Sequence, residues 1–411
     1  MQETSRYAVG IDIGTKTVRC VVGHVDAGSG VPKIVGVGEA PNSGMRKGVV
    51  SHLTGPASAI DVALEAAERM SGHQVDAAVL SINGSHILST KADGMIAVGT
   101  GNGEVSQDDI SRLEEVATTG KVPANREILE IVPHAYRLDG QDNIKDPIGM
   151  AGTRLELRAN VVSGLTPHVS NLEKSAEMAN VQSAGVVPSV LASARAVLTE
   201  AQLENGVAII DIGGATTSVA VFEEGDVQHV TVIPVGSQNV TNDVAIGLKI
   251  DPEIAEKVKL AHAELTRESK NGEVEIKHDK QVLKFDLSEI TEIVEARYEE
   301  IFEAVAKELK RAGGIGRLPS GVVLVGGGAK VKDLVEFAKN QLGVAAKIGI
   351  PTGYAGVSDE VNGPEFATAV GLMLMDGTTS QQQARHATNK PAGNVVKKAG
   401  GFIGNLFARF K

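Results

Sequence analysis

The chain has 411 residues, 42% of them hydrophobic, and its 40 Lys and Arg against 51 Asp and Glu give a net charge of −11. This length allows two or more domains with their own cores, and the acidic balance argues against non-specific nucleic-acid binding. The single cysteine, Cys20, excludes an intramolecular disulfide and fits a reducing cytoplasm, and neither a signal peptide nor an apolar run of roughly 20 residues is evident.

The first β-rich unit opens the chain. Two strands and a tight turn are predicted in YAVGIDIGTKTVRCVVGHV, with a third strand around residues 33–38. A helix is predicted over Pro56–Met70, because Ile60, Leu64 and Ala67 fall on one stripe, and a strand over Ala77–Ile82. The polar residues of the turn are Asp12, Gly14, Thr15, Lys16 and Thr17.

Residues 84–163 interrupt this pattern with a segment that has no counterpart in the second half of the chain. Ser106 and Asp109 form a capping pair that predicts a helix to about Thr119. Strands are predicted over 127–136 and 153–162, so the segment is expected to be a separate small α+β domain. The parent domain then resumes with helices over 166–179 and 189–198 and a strand over 181–186.

A second unit, residues 207–236, repeats the order of the first. A buried strand ends at Asp211, followed by Gly213, Gly214, Thr216 and Thr217, and two further strands lead to Gly236. Asp211 lies 199 residues after Asp12, which indicates an internal duplication. Glycines let backbone N–H groups approach an anion, threonines add donors, and a strand-end Asp can hold hydrated Mg²⁺. The two copies therefore predict a phosphate clamp between related domains.

From residue 250 onward, the second half of the chain is predicted to form charged helices and one glycine-rich turn. Residues 250–319 are predicted to be helical, with a short hairpin near 273–285. The strand Val322–Val325 runs into Gly326–Gly328 and an amphipathic helix, which suits the adenosine side of a nucleotide or simply a close helix–sheet turn. A loop over 353–361 precedes a small-residue helix over 365–375, which is explained by a hinge between lobes or by core packing.

The C-terminal residues differ from the rest of the chain. Residues 377–393 have almost no apolar content and predict a disordered linker. From residue 377 onward there are six basic residues and no acid. Residues 394–411 predict an amphipathic helix for anionic lipid, with a terminal helix packed on the protein's own core as the alternative. The inserted side chains would be Phe402, Ile403, Leu406, Phe407 and Phe410, with Lys397, Lys398 and Arg409 at the headgroups.

Together these features resemble the actin/Hsp70/sugar-kinase superfamily, and within it the FtsA family of bacterial cell-division proteins. The resemblance covers about residues 6–375 and extends to the tail. It is carried by the two turns, the triple glycine, the position of the insertion, and the stretches GMRKGVV, VLSINGSHI, VIPVGSQNVTNDVAIGL, AEKVKLAHA, EARYEEIFE and EFATAVGL.

The resemblance implies an α/β fold of two duplicated, actin-like lobes. Residues 1–83 and 164–205 would form the first lobe, to which 365–376 return, and 84–163 the inserted α+β domain. The second lobe would combine a core of 206–249 and 320–364 with a subdomain of 250–319.

The resemblance also implies ATP and Mg²⁺ as ligands. Asp12 and Asp211 would hold Mg²⁺ through water, and Glu256 with Lys259 would contact ribose and base, although a solvated charged helix explains that pair equally well. The remaining residues assigned to the nucleotide are Gly14, Thr15, Lys16, Thr17, Gly213, Gly214, Thr216, Thr217, Gly236, Gly326, Gly327 and Gly328.

The family's function supplies the expected partners. Such a protein would tether the FtsZ ring to the inner face of the cytoplasmic membrane at the division septum, as a peripheral protein. It would polymerise with ATP and recruit later division proteins. The helix opening at Ser288 carries Arg297 on its apolar stripe. There Arg297 would either contact the acidic C-terminal tail of FtsZ or be a snorkelling or internally ion-paired side chain.

One departure from the superfamily pattern bears on catalysis. Hsp70-like relatives have a water-orienting Glu before the hinge-helix proline, whereas here Val187 precedes Pro188. ATP binding is therefore expected with weak or no hydrolysis. Of the other functions considered, a sugar kinase needs a carboxylate base and a larger sugar-binding region, neither of which is evident in this sequence. An Hsp70 chaperone needs a separate C-terminal β-domain, and only a short tail remains here. A pilus-assembly platform ATP-binding protein is the nearest alternative.

Overall fold

The first lobe is built on a mixed sheet. The computed structural model describes residues 6–26, 30–99, 103–265, 272–278, 281–356 and 359–386. The lobe begins with β1 (Arg6–Ile13), β2 (Thr17–Val25), β3 (Pro32–Pro41), the short hairpin strands β4 (Met45–Arg46) and β5 (Val49–Val50), α1 (Thr54–Ser71) and β6 (Ala77–Ile82). The predicted β-β-β-α-β order is confirmed for the longer elements, whereas the short strands β4 and β5 between β3 and α1 were not predicted. Cys20 is a buried core residue of β2.

The inserted domain is an antiparallel sheet with one helix. Its elements are β7 (Leu88–Ala97), α2 (Gln107–Thr118), β8 (Arg126–Leu138), β9 (Gln141–Ile144) and β10 (Arg154–Leu165), in sheet order β7-β10-β8-β9. The capping box of Ser106 and Asp109 is present, which confirms the predicted start of α2. Strands β7 and β9 were not predicted. Lys, Asp and Gly interrupt the strand pattern of β7, and β9 has only four residues.

The chain returns to the first lobe before the second unit begins. The returning elements are α3 (Thr166–Met178), β11 (Gln182–Pro188), α4 (Ser189–Val197) and the short α5 (Glu200–Asn205). Strand β11 extends two residues beyond its predicted end, and α3 and α4 lie where the sequence predicts them.

The second lobe repeats the sheet and adds a thicker helical layer. Its elements are β12 (Val207–Ile212), β13 (Thr217–Glu223), β14 (Asp226–Ile233), α6 (Ser237–Leu248), α7 (Pro252–His262), β15 (Glu273–His278), β16 (Gln281–Asp286), α8 (Leu287–Arg311), β17 (Val322–Val325), α9 (Leu334–Leu342) and β18 (Ala346–Ile348). The chain ends its described part with β19 (Ala355–Gly356) and α10 (Ala367–His386).

The two sheets show the duplication directly. The first-lobe order is β11-β6-β1-β2-β3-β19, and the second-lobe order is β14-β13-β12-β17-β18. In each, an antiparallel three-strand meander is followed by a strand that pairs in parallel with the first strand of the unit, β6 with β1 and β17 with β12. The predicted two-lobe α/β fold is confirmed.

Several helices and both sheets meet in one core between the lobes. The largest apolar cluster joins α1, α3, α4 and α10 with both faces of the first sheet and one face of the second, including Val323 and Phe222 of the second lobe. A second cluster covers the other face of the second sheet, where α8 contributes Ile290 and Phe302. Across the described residues, the segment 250–319 therefore shares its core with the rest of the second lobe.

The inserted domain also contacts the second lobe. The side-chain amide of Asn160 on β10 donates to the backbone oxygens of Val227 and Gln228 at 2.6 and 2.9 Å. Nζ of Lys145 lies 2.7 Å from Oδ2 of Asp226. The domain is thus attached covalently to one lobe and by hydrogen bonds to the other.

Two predicted boundaries need correction. Residues 377–386, predicted as disordered linker, continue α10, because a packed helix end propagates through Gln and Ala, which favour helix. Residues 355–356, predicted as a loop of the second lobe, pair with β3 of the first, an exchange too short to leave a pattern in the sequence. The predicted linker beyond residue 386 and the tail 394–411 lie outside the described residues. In the described parts of the chain, no helix has both the length and the apolar character to cross a bilayer.

Candidate functional site

A cavity of about 420 Å³ lies between the two lobes and is lined by both duplicated turns. In the first turn, the backbone N–H of Gly14 donates to the oxygen of Thr17 at 3.2 Å. In the second, Gly213 donates to Thr216 at 2.9 Å. The predicted residues that line the cavity are Asp12, Gly14, Thr15, Lys16, Thr17, Asp211, Gly213, Gly214, Thr216, Glu256, Lys259, Gly326, Gly327 and Gly328.

Two aspartates face each other across this cavity. Burial, followed by the neighbouring charge of Asp12, raises the pKa of Asp211 to about 7 against the opposing effects of Arg19 and Thr368. Burial also raises the pKa of Asp12, while a hydrogen bond from Ser81 and the charge of Arg19 lower it. Two desolvated carboxylates that disfavour each other's charge create a place where a cation is stabilising.

The donor set fits Mg²⁺ held through water better than a cage of protein ligands. Among the described residues, no cluster of three or more His, Cys, Asp or Glu side chains could hold a metal ion. Mg²⁺ keeps several waters and commonly uses one or two carboxylates together with substrate phosphates. Asp12 and Asp211 supply such a pair, each at the end of the first strand of its unit.

The glycine-rich turn after β17 closes the cavity on the second-lobe side. Gly326 has a φ of 87°, and a Cβ there would lie 2.3 Å from Oδ1 of Asp211, so a larger residue is excluded. The hydroxyl of Tyr298 on α8 donates to the oxygen of Gly328 at 2.7 Å. A Cβ at Gly327 would meet nothing within 4 Å, so this residue faces open space.

Glu256 and Lys259 on α7 also face the cavity, and they are paired. Nζ of Lys259 lies 2.7 Å from Oε2 of Glu256 and 2.8 Å from Oγ1 of Thr241 on α6. Thr241 in turn donates to Glu256. The group is therefore an ordered part of the cavity wall, and the solvated-helix alternative does not describe it.

Two predicted nucleotide contacts do not line the cavity. The hydroxyl of Thr217 donates to the backbone oxygen of Val235 at 2.8 Å inside the sheet. Gly236 lies behind the second turn, where a Cβ would come within 2.6 Å of the Gly213 oxygen. Alternation along β13 turns the second of two adjacent threonines away from the cavity, which spacing alone could not decide.

Sequence reasoning missed several polar residues of the cavity. Ser81 at the end of β6 donates to Oδ1 of Asp12 at 2.8 Å and accepts from the N–H of Ile13 at 2.8 Å. The other missed polar lining residues are Arg19, Asn83, Ser189, Ser237, Gln238, Lys330, Glu365 and Thr368. The duplication could have identified Ser81 and Asn83, because the stretch VLSINGS at the end of β6 occupies the same place in its unit as VLVGGG at the end of β17.

Arg297 lies away from the cavity and is held in an ion pair. Its Nη2 donates to Oδ1 of Asp243 at 3.0 Å and its Nε to Oδ2 at 2.5 Å, and Nη1 bonds Glu300. These bonds raise the pKa of Arg297, the hydrogen bond that it donates to Asp243 being the largest cause. The internal ion pair, one of the two predicted alternatives, is confirmed.

Comparisons with known proteins agree on one family. A family profile described as "Cell division protein FtsA" matches residues 208–371, and one described as "SHS2 domain inserted in FTSA" matches residues 84–163. The chain is 34% identical to Cell division protein FtsA of Pseudomonas aeruginosa over 407 residues, covering 96% of this chain and 97% of that protein. It is 35% identical to the Bacillus subtilis protein of the same name, covering 92% and 85%.

Solved structures agree on the fold alone. The PilM-PilN type IV pilus biogenesis complex aligns with a TM-score of 0.66 at 16% identity, covering 90% of this chain and 98% of that one. MreB5 of Spiroplasma citri bound to ADP aligns with a TM-score of 0.51 at 15% identity, covering 94% and 99%. At such low identities, these likenesses carry no functional assignment.

Proposed function

Because this chain belongs to the FtsA family of cell division proteins, we propose that it binds ATP with Mg²⁺ between its lobes and tethers the FtsZ ring to the cytoplasmic membrane. The observation that carries the nucleotide part is the convergence of two duplicated turns and a buried aspartate pair on one cavity. The pilus-assembly alternative is the weaker one, since the likeness to the PilM-PilN complex is at 16% identity.

The cavity has the parts that a Mg²⁺–nucleotide complex requires. The two turns offer backbone N–H groups and Lys16 to phosphates, and Mg²⁺ would supply charge neutralisation between phosphates and the two carboxylates. Asp12 and Asp211 would hold the ion through water. The Gly326–Gly328 turn and the Glu256–Lys259 pair would take the adenosine end.

A matched pair of substitutions at Gly327 tests this proposal. Because a Cβ at Gly327 meets nothing within 4 Å, Gly327→Ala should fold normally and bind ATP within about threefold of the parent protein. Gly327→Asp places a carboxylate toward the nucleotide and should abolish binding measured by isothermal titration with MgATP. Equal binding by the two variants would remove this cavity as the nucleotide site.

Hydrolysis is proposed to be slow or absent. Val187 at the end of β11 is 1% exposed and lies outside the cavity lining, so no carboxylate orients water from that strand. The two glutamates that line the cavity each have a lysine partner, Glu256 with Lys259 and Glu365 with Lys330. Turnover on the order of 10 per second, an ordinary enzyme rate, would contradict this part of the proposal.

Arg297 is proposed to contribute to the binding of the acidic C-terminal tail of FtsZ. Its guanidinium is engaged by Asp243, so a carboxylate of the tail would have to compete for it. Asp243→Asn should therefore raise tail-peptide affinity in fluorescence anisotropy, and Arg297→Glu should lower it. If neither variant changes the affinity, Arg297 serves the fold alone.

The residues from 394 onward are proposed as the membrane anchor at the cytoplasmic face of the septum. The proposal rests on the sequence pattern of Phe402, Leu406, Phe407 and Phe410 beside basic residues and on family membership. Sedimentation with anionic vesicles should be lost when residues 394–411 are removed and retained with ATP-site variants. Self-assembly into filaments and recruitment of later division proteins are proposed from the family, with no residue assigned to either.

A further inference from the structure

A second cavity, of about 370 Å³, adjoins the nucleotide cavity and has no role in the proposed function. Thr15, Lys16 and Gln238 line both cavities. The second cavity is otherwise formed by the segment that leads into and includes the β4–β5 hairpin, by Ala215 and Pro234 of the second lobe, and by the first turns of α6. We refer to it as the hairpin cavity.

The hairpin cavity is lined by cations without an acid. Lys16, Arg46 and Lys47 all line it, and no Asp or Glu does. Within the described part of the chain, none of these three side chains has an ion-pair or hydrogen-bond partner. Three unpaired cations around one cavity, in a protein of net charge −11, produce a local field that attracts an anion.

A buried hydrogen-bond acceptor, the side-chain oxygen of Asn42, also belongs to the lining of the hairpin cavity and restricts which anion can bind there. Asn42 is 8% exposed, its Nδ2 donates to the oxygen of Gly14 at 2.7 Å, and its Oδ1 has no partner. An unpaired buried acceptor is costly and calls for a donor. An oxyanion that carries both negative oxygens and a P–O–H group, such as inorganic phosphate near neutral pH, satisfies the cations and Asn42 together. Sulfate has no such donor.

The backbone of the β4–β5 hairpin fixes the position of one cation. Lys47 and Gly48 both have positive φ values, 49° and 80°, as in a two-residue hairpin turn. A Cβ at Gly48 would lie 3.1 Å from Gly84 and 3.2 Å from the methyl group of Thr216. The tip therefore packs against the second phosphate turn, and Lys47 is held beside it in a left-handed conformation that a lysine adopts only at a cost.

We propose that the hairpin cavity binds inorganic phosphate as a site separate from the nucleotide cavity. Because Lys16 lines both cavities, a polyphosphate bound between the two turns draws on the same cation as the phosphate ion. Phosphate binding should therefore weaken when MgATP is bound. That competition rests on the proposed nucleotide function, whereas phosphate binding to the nucleotide-free protein does not.

The test is equilibrium dialysis of the full chain against radiolabelled inorganic phosphate at constant ionic strength, without nucleotide. Lys47→Asn removes the charge and keeps a residue that tolerates positive φ, so it should weaken phosphate binding at least about tenfold. Lys249→Asn is the matched control, because Lys249 also has a positive φ, 57°, and lines neither cavity. Its phosphate affinity should stay within about twofold of the parent protein.

Arg46→Gln provides a second variant should Lys47→Asn fail to fold, and sulfate in place of phosphate tests the requirement for a donor. Support consists of saturable phosphate binding that Lys47→Asn or Arg46→Gln weakens, Lys249→Asn spares and sulfate competes for poorly. The proposal is overturned by an absence of saturable binding, by equal losses in the two lysine variants, or by equal binding of sulfate. A protein that binds phosphate in this way but fails to bind MgATP would reject the proposed function and retain this site.

Discussion

The two duplicated turns have the same backbone hydrogen bond but different neighbouring side chains. Each follows an aspartate at the end of a strand and closes with a hydrogen bond from its first glycine. Across the hairpin, Asp12 pairs with Arg19, whereas Asp211 pairs with Ser218. Asp12 also accepts a hydrogen bond from Ser81, and the hydroxyl of Ser218 donates to Asn83 instead.

This difference gives the aspartates of the two copies different electrostatic surroundings. The first turn brings its own cation, and Arg19 acts on both carboxylates, while the second turn has no equivalent residue on its hairpin. Asp211 has a raised pKa of about 7, with the charge of Asp12 among its causes and a serine opposite it on its own hairpin. Duplication preserved the shape of the phosphate clamp, and divergence placed Arg19 opposite the aspartate in the first copy only.

The largest expected effect is a pH dependence that Asp211 introduces in the protein without metal or nucleotide. Its folded pKa of about 7 lies above the ordinary value, so the folded state binds more protons between about pH 4 and 7. Stability should fall as pH rises through that window, by on the order of 4 kcal/mol. Asp211→Asn should remove this fall, measured by urea unfolding in EDTA.

Other groups titrate in the same pH range, and they are present in both the parent protein and the Asp211→Asn variant. Burial raises the pKa of Asp226 to about 6, which acts in the same direction, and burial lowers the pKa of His86 to about 4, which acts in the opposite direction. The difference between parent and Asp211→Asn therefore isolates the aspartate. Identical slopes for the two proteins would show that Asp211 is not strained.

The next effect compares the glycines that open the two turns. A Cβ at Gly14 would lie 2.6 Å from the Thr17 oxygen, whereas one at Gly213 would lie 3.1 Å from the Thr216 oxygen. Gly14→Ala should cost roughly 2 kcal/mol of stability and lower ATP affinity, since backbone atoms must shift. Gly213→Ala should cost well under half as much. Thermal unfolding and ATP titration of the pair decide it, and the reverse order would contradict the steric argument.

The smallest effect separates Thr17, which lines the cavity, from Thr217, the second of the two adjacent threonines in the second turn. Thr217→Ala removes a bond to the buried oxygen of Val235 and should cost about 1 kcal/mol of stability, with ATP affinity nearly unchanged. Thr17→Ala, at the cavity, should leave stability nearly unchanged and lower ATP affinity several-fold. Titration and urea unfolding of both variants give the four values, and equal effects of the two substitutions would contradict the assignment of Thr17 to the cavity and Thr217 to the sheet.

The sequence by itself determined the duplicated two-lobe fold and about half of the cavity lining. Strand, turn and helix signals are local, and an aspartate at a strand end followed by glycines and threonines restricts the backbone wherever it occurs. Two copies of that signal indicate that the two lobes have the same architecture. The capped start of α2 and the strand before Gly326 were predicted for the same reason.

Only the tertiary structure decided which side chains share the cavity. Thr217 turns into the sheet, Ser81 arrives from a neighbouring strand, and Arg19 reaches both aspartates across a hairpin. The return of residues 355–356 to the first sheet and the bonds from Asn160 to the second lobe depend likewise on partners far along the chain. Side-chain direction and long-range pairing follow from how the elements pack, and the linear pattern of residues does not contain that geometry.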